Sequence, residues 1–136
     1  MSLDRFVDAQ ADSYAQALAE VQAGQKVSHW MWFIWPQLRE LGHSARAKYY
    51  GLADLDEAVA YRLHPVLGPR LVEISEAMLD HRGQSAEDVL GPVDAVKLRS
   101  SATLFEVAAT DPVFPAIVDA FYDGVRDPLT LNALAG

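Results

Sequence analysis

Nine side chains in two short stretches have the types and spacing to hold, or act on, a small molecule. The first stretch, KVSHWMWFIWPQ at 26–37, supplies Lys26, His29, Trp30, Trp32 and Gln37, and the second, DAVKLRSSAT at 94–103, supplies Asp94, Lys97, Ser100 and Ser101. Indole rings offer flat faces for stacking a planar ligand. A lysine ammonium and two serine hydroxyls give charge-assisted hydrogen bonds to phosphate or carboxylate, and His29 and Gln37 can read a polar edge, since each donates and accepts. Together they describe a pocket between the two stretches for a small, flat, anionic, nucleotide-like ligand. If a reaction occurs there, His29 is the expected general acid or base, because imidazole titrates near neutral pH.

Each feature has a structural counterpart. A run of tryptophan, methionine, phenylalanine and isoleucine is also what a dense core requires. Asp94 and Lys97 form an i,i+3 pair of the kind that decorates helix surfaces. A third reading is a non-enzymatic interaction module, with the aromatic cluster anchoring a protein partner. Lys97 and Ser101 have the composition of a Lys–Ser acylation dyad, but the S-x-x-K order is missing.

The elements that must position these residues are helices. Asp94, Lys97 and Ser101 fall on one side of a helix across 94–106, with Arg99 and Ser100 adjacent. In the first stretch, Ser28 is a suitable N-cap and Pro36 a stop, and a helix between them would put His29, Trp32 and Phe33 on one face. Elsewhere, Asp54, Ser85, His64-Pro65, Asp111-Pro112 and Asp127-Pro128 mark helix starts, and glycines 24, 83, 91 and 124 mark stops. No alternating β-branched run with a hairpin turn is present. The expected fold is an all-α single domain over 1–136, an orthogonally packed globule of seven or eight short helices.

Composition narrows the function classes. The 136 residues contain no cysteine, which excludes disulfides, thiolate metal sites and a cysteine nucleophile. Histidines 29, 43, 64 and 81 lack metal-ligand spacing, and there is no glycine-rich phosphate loop, so no metal or cofactor is expected. A net charge of −8 argues against general nucleic-acid binding. Residues 21–50 run against that balance, with four basic side chains and one acid. The N-terminal MSLDRFVDAQ carries charges where a signal peptide needs an apolar run, and Trp30–Trp35 is too short to span a bilayer. A cytoplasmic protein without a membrane partner is expected.

The run GQKVSHWMWFIWPQLRELGHSARAKYYGLADLDEAVAY, followed by HPVLGPRL and GPVDAVKLRSSATLFE, resembles the bacterial and fungal domain-of-unknown-function family numbered 1810, sometimes mislabelled calpastatin. The likeness extends from Arg5-Phe6 to the terminal DPLTLNALAG, with Trp35 standing where a phenylalanine is usual. The resemblance implies an all-helical single domain and no established activity. Its hallmark positions correspond here to Lys26, His29, Trp30, Trp32, Pro36 and Gln37, and to Asp94, Lys97, Ser100, Ser101 and Thr103.

Overall fold

Polar breakers and prolines cut the chain into short helices, and the computed structural model, which describes residues 2–136, shows where each cut falls. The α-helices are α1 (Asp4–Ala11), α2 (Tyr14–Ala23), α3 (Met31–Ile34), α4 (Ala45–Tyr49) and α5 (Leu55–Leu63), followed by α6 (Leu67–Leu79), α7 (Ala86–Leu90), α8 (Pro92–Ala108), α9 (Val113–Phe121) and α10 (Pro128–Ala135). A 3-10 turn occupies Arg39–Leu41. These ten helices exceed the seven or eight expected. Asp12 and Ser13 split the first helical stretch in two, because their side chains favour turns over helix interior. Pro36 and Gly42 likewise divide the aromatic stretch from the helix that follows. Among the described residues no strand forms, and a lone parallel bridge joins Leu38 to Leu52.

Several starts use the caps read from the sequence. Asp54, Ser85 and Asp127 accept the amides of Glu57, Asp88 and Thr130, and Ser44 does the same for Ala47. His64 performs this role with its ring, Nδ1 accepting the amides of Val66 and Leu67 at 3.1 and 3.3 Å. Immediately beyond, Gly68 lies so tightly against the end of α5 that a Cβ there would sit 1.9 Å from the Arg62 carbonyl oxygen. Ser28 departs from expectation: helix α3 begins only at Met31, and Ser28 serves the preceding loop instead.

One hydrophobic core unites these pieces. Its axis is α8, which packs against α5, α7, α9 and α10, while α6 joins α2, α5 and α9. Aromatic rings run through the centre in edge-on and tilted contacts: Phe6 to Tyr61 at 5.0 Å, Tyr61 to Phe105 at 5.5 Å, and Phe105 to Phe114 at 5.6 Å. Polar atoms within it are mostly paired. Gln10 donates to the Phe33 carbonyl at 2.7 Å and to the Tyr61 hydroxyl at 2.9 Å, and the Trp35 indole donates to Ser75 Oγ at 2.9 Å. Among the described residues, the Ser101 hydroxyl alone is buried without a partner. No helix among them is long and apolar enough to cross a membrane.

Candidate functional site

Most of the aromatic stretch is core. Trp30 and Trp35 are each 2% exposed, and Met31, Phe33 and Ile34 are buried with them. The reason Trp30 can be buried is Glu20 on α2. One of its oxygens accepts the amides of Val27 and Ser28 and the Trp30 indole N–H, at 2.8 to 2.9 Å, and the other accepts the Ser28 hydroxyl at 2.7 Å. Burial alone would raise the Glu20 carboxyl, but the amides of Ser28 and Val27, then the Ser28 hydroxyl and the indole, outweigh it and hold the group at about 2. A carboxylate thus shapes the loop 25–30, which carries Lys26. That lysine lies 4.9 Å from the Trp30 ring centre and pairs with Asp94 at 2.9 Å.

The two stretches touch through Lys97 and Trp32, and beside this contact lies a cleft of about 610 Å³ that takes only Gln37 from the first stretch and Val96, Lys97 and Ser100 from the second. One wall is Gln37 together with the segment Leu41–Ser44 and Ala47, and the other is the exposed side of α8, with Val93, Val96, Lys97 and Ser100. Asp127 and Leu129 close it from α10. Gln37 is held in place through its backbone, its carbonyl accepting Leu52 N at 2.9 Å, while Arg39 N donates to the Leu52 carbonyl at 2.7 Å. Gly51 makes this close approach possible, since a Cβ there would lie 2.4 Å from Arg39 Cα.

Lys97 stands where cleft and indole meet. Its ammonium is 5.1 Å from the ring centre of the half-buried Trp32, and Arg46 is 5.2 Å from the same centre. Asp94 also lies 3.7 Å from Lys97, so one carboxylate is shared between two lysines and leaves a surplus positive charge. At the other end, Ser100 donates to Asp127 Oδ2 at 3.0 Å, and Thr130 adds its amide and hydroxyl to the same oxygen. Burial alone would raise the Asp127 carboxyl. The bonds from Thr130 and Ser100, and the charge of Arg99, overcome that and hold it below the ordinary carboxylate range. Such a group is a strong acceptor and a poor proton acceptor, so the Ser100–Asp127 pair is arranged for binding rather than for activating a nucleophile.

Three expected site residues lie elsewhere. His29 is exposed and precedes α3; it borders a separate hollow with Trp32, Phe33 and Arg46, as its expected common face with the two rings requires, but away from Lys97 and Ser100. Trp30 is a core anchor, not a stacking wall. Ser101 is turned inward with Leu98 and Phe105, 40° further round α8 than Lys97 by the about 100° step of the helix. Lys26 and Asp94 act beside the cleft through their ion pair. Lys97, Ser100 and Gln37 line it, and Trp32 lines a narrow crevice that shares Gln37, Ala47 and Lys97 with it.

Residues 1–134 match a family described as a protein of unknown function, DUF1810. The chain belongs to the DUF1810 family. Its fold is similar to that of the conserved hypothetical protein Rv1873 from Mycobacterium tuberculosis, solved as a crystal structure at 1.38 Å. The TM-score is 0.96 and the identity 45%, over 98% of this chain and 96% of the other. No functionally curated protein matches the chain. This DUF1810 protein also lines its cleft with residues that the motif reading passed over: His43, Ser44, Asp127 and Leu129. Of these, Asp127 carries a sequence signal, the Asp127-Pro128 pair that marks the start of α10.

Proposed function

We propose that the cleft binds, and could process, a small anionic, nucleotide-like ligand, with Lys97 as its charge partner and Ser100 and Gln37 as hydrogen-bonding neighbours. What carries the reading is the convergence of these three side chains, from segments 60 residues apart (Gln37 to Lys97), on one cleft of about 610 Å³, within the volume usual for small-molecule sites. The positive surplus around Asp94 and the nearby Arg46 favour an anion. The walls that would take a planar ring are mainly aliphatic, from Leu41, Val93, Val96 and Leu129, with Trp32 at the margin. Should chemistry take place, His43 is the imidazole on the cleft wall and replaces His29 as the candidate acid or base. A cytoplasmic setting fits a chain without cysteine.

Thermal-shift titration with nucleoside mono- and diphosphates tests the reading. The wild type is stabilised by mass action, whereas Lys97→Ala, folded and of similar melting temperature alone, shows a shift reduced at least about tenfold in apparent affinity. Stabilisation equal in both proteins, or absent in both, refutes it.

A second reading, an interaction module, is favoured by the apolar lip of the cleft, where Val93, Val96 and Leu129 are 67%, 62% and 63% exposed. It predicts that Val96→Lys, and not Lys97→Ala, abolishes capture of an apolar peptide from a display library.

A further inference from the structure

Asp127 is the one carboxylate among the described residues lining the cleft, and it is 4% exposed. Its two oxygens are unequally employed. Oδ2 accepts the Ser100 hydroxyl at 3.0 Å, the Thr130 amide at 3.1 Å and the Thr130 hydroxyl at 2.6 Å. Oδ1 has Arg99 alone, at 3.5 Å. An ionised carboxylate offers about four lone-pair positions, so a buried acceptor on the cleft wall is left with unused capacity.

We infer that this oxygen accepts from the vicinal hydroxyls of a ribose, so that the cleft selects ribonucleotides over deoxyribonucleotides; the inference rests on the nucleotide-like reading above. A carboxylate can only accept, so the ligand must donate at this point. Arg99 already balances part of the charge, which favours a neutral donor over an ammonium. Position along the cleft then selects among neutral donors. Asp127 is bonded to Ser100, which lies one turn along α8 from Lys97, so carboxylate and ammonium border the same cleft. In a 5′-nucleotide the vicinal ribose hydroxyls are the neutral donors nearest the phosphate, so a phosphate at Lys97 turns them toward the Asp127 end of the cleft. The donor edge of a nucleobase lies at the far end of the nucleotide, beyond the sugar. With sugar and phosphate so placed, the base meets the aliphatic side chains of Val93, Val96 and Leu129. Acceptance of ribose hydroxyls by a carboxylate is the device that dinucleotide-binding folds also use.

Isothermal titration of the wild-type protein with AMP, GMP and their 2′-deoxy forms tests this without any variant. AMP and GMP bind alike, and each at least about tenfold more tightly than its deoxy counterpart. Asp127→Asn, which keeps a good N-cap for α10, brings the ratio close to one while Lys97→Ala weakens all four. Equal affinity for ribo and deoxy forms overturns this inference and leaves the anion site standing. A preference for GMP over AMP that survives removal of the 2′-hydroxyl also overturns it, in favour of base-edge recognition. No binding of any of the four overturns both the inference and the reading beneath it.

Discussion

Replacing Glu20 by glutamine removes one charge and almost no volume from a group that organises the loop 25–30. The native carboxylate accepts the amides of Val27 and Ser28, the Trp30 indole, the Ser28 hydroxyl and the Gln16 amide. In the variant three of these become neutral hydrogen bonds, each weaker by about 1 kcal/mol or less, and an NH2 group faces the Ser28 hydroxyl. The gap between about 2 in the folded protein and the ordinary 4.5 bounds the ionic contribution at about 3 kcal/mol. Glu20 is partly open to solvent, which reduces the expected loss to about 1–2 kcal/mol. The sign of the pH dependence follows from the depressed folded-state value. The stabilisation is complete above about pH 4.5 and is lost as pH falls through about 2. Urea unfolding of wild type and Glu20→Gln at a series of pH values measures this directly. The difference in unfolding free energy stays constant from pH 7 to about 5, then narrows toward zero near pH 2. A difference that is the same at pH 3 as at pH 7, or one below about 0.5 kcal/mol throughout, refutes the assignment of the loop's order to this carboxylate.

Other perturbations separate core from cleft. Trp35→Phe deletes the indole donor and strands the fully buried Ser75 hydroxyl, costing about 1–3 kcal/mol in urea unfolding. Ser101→Ala removes a buried hydroxyl with no partner, so stability is unchanged or rises by up to about 1 kcal/mol, and a loss above that would show an unrecognised bond. Gly68→Ala drives a methyl group into the Arg62 carbonyl and destabilises by about 3 kcal/mol or more, seen as a fall in melting temperature. With Trp30 and Trp35 buried and Trp32 half-buried, Trp32→Phe removes most of the iodide-quenchable fluorescence and leaves a blue-shifted, protected remainder.

Fold class and helix starts were readable because caps act locally. Asp54, Ser85 and Asp127 need only their own next turn to do their work, so three-residue patterns report them. Part of the cleft lining, Gln37, Lys97 and Ser100, was also visible, in clusters of unlike residue types. What composition could not convey was direction. Ser100 and Ser101 are neighbours of the same kind, yet one faces the cleft and the other the core, because α8 is surrounded and a 100° step decides the matter. His29 looked better than His43 because it stands among tryptophans. In the folded chain α3 starts two residues later, and His43, isolated in sequence, reaches the cleft through the turn that Gly42 allows. Glu20 drew no attention on a helix that reads as an ordinary surface element, since its partners are mainly backbone amides, which no side-chain pattern reveals.

The double engagement of Lys26, whose amide bonds to the Val89 carbonyl at 2.8 Å while its ammonium holds Asp94, ties the loop 25–30 to both α7 and α8. Losing Asp94 would leave both Lys26 and Lys97 without their carboxylate, so a change at position 94 is expected to be accompanied by a change at 26 among relatives. Chimeras that exchange residues 21–50 between members should prosper only when the matching part of α8 travels with them.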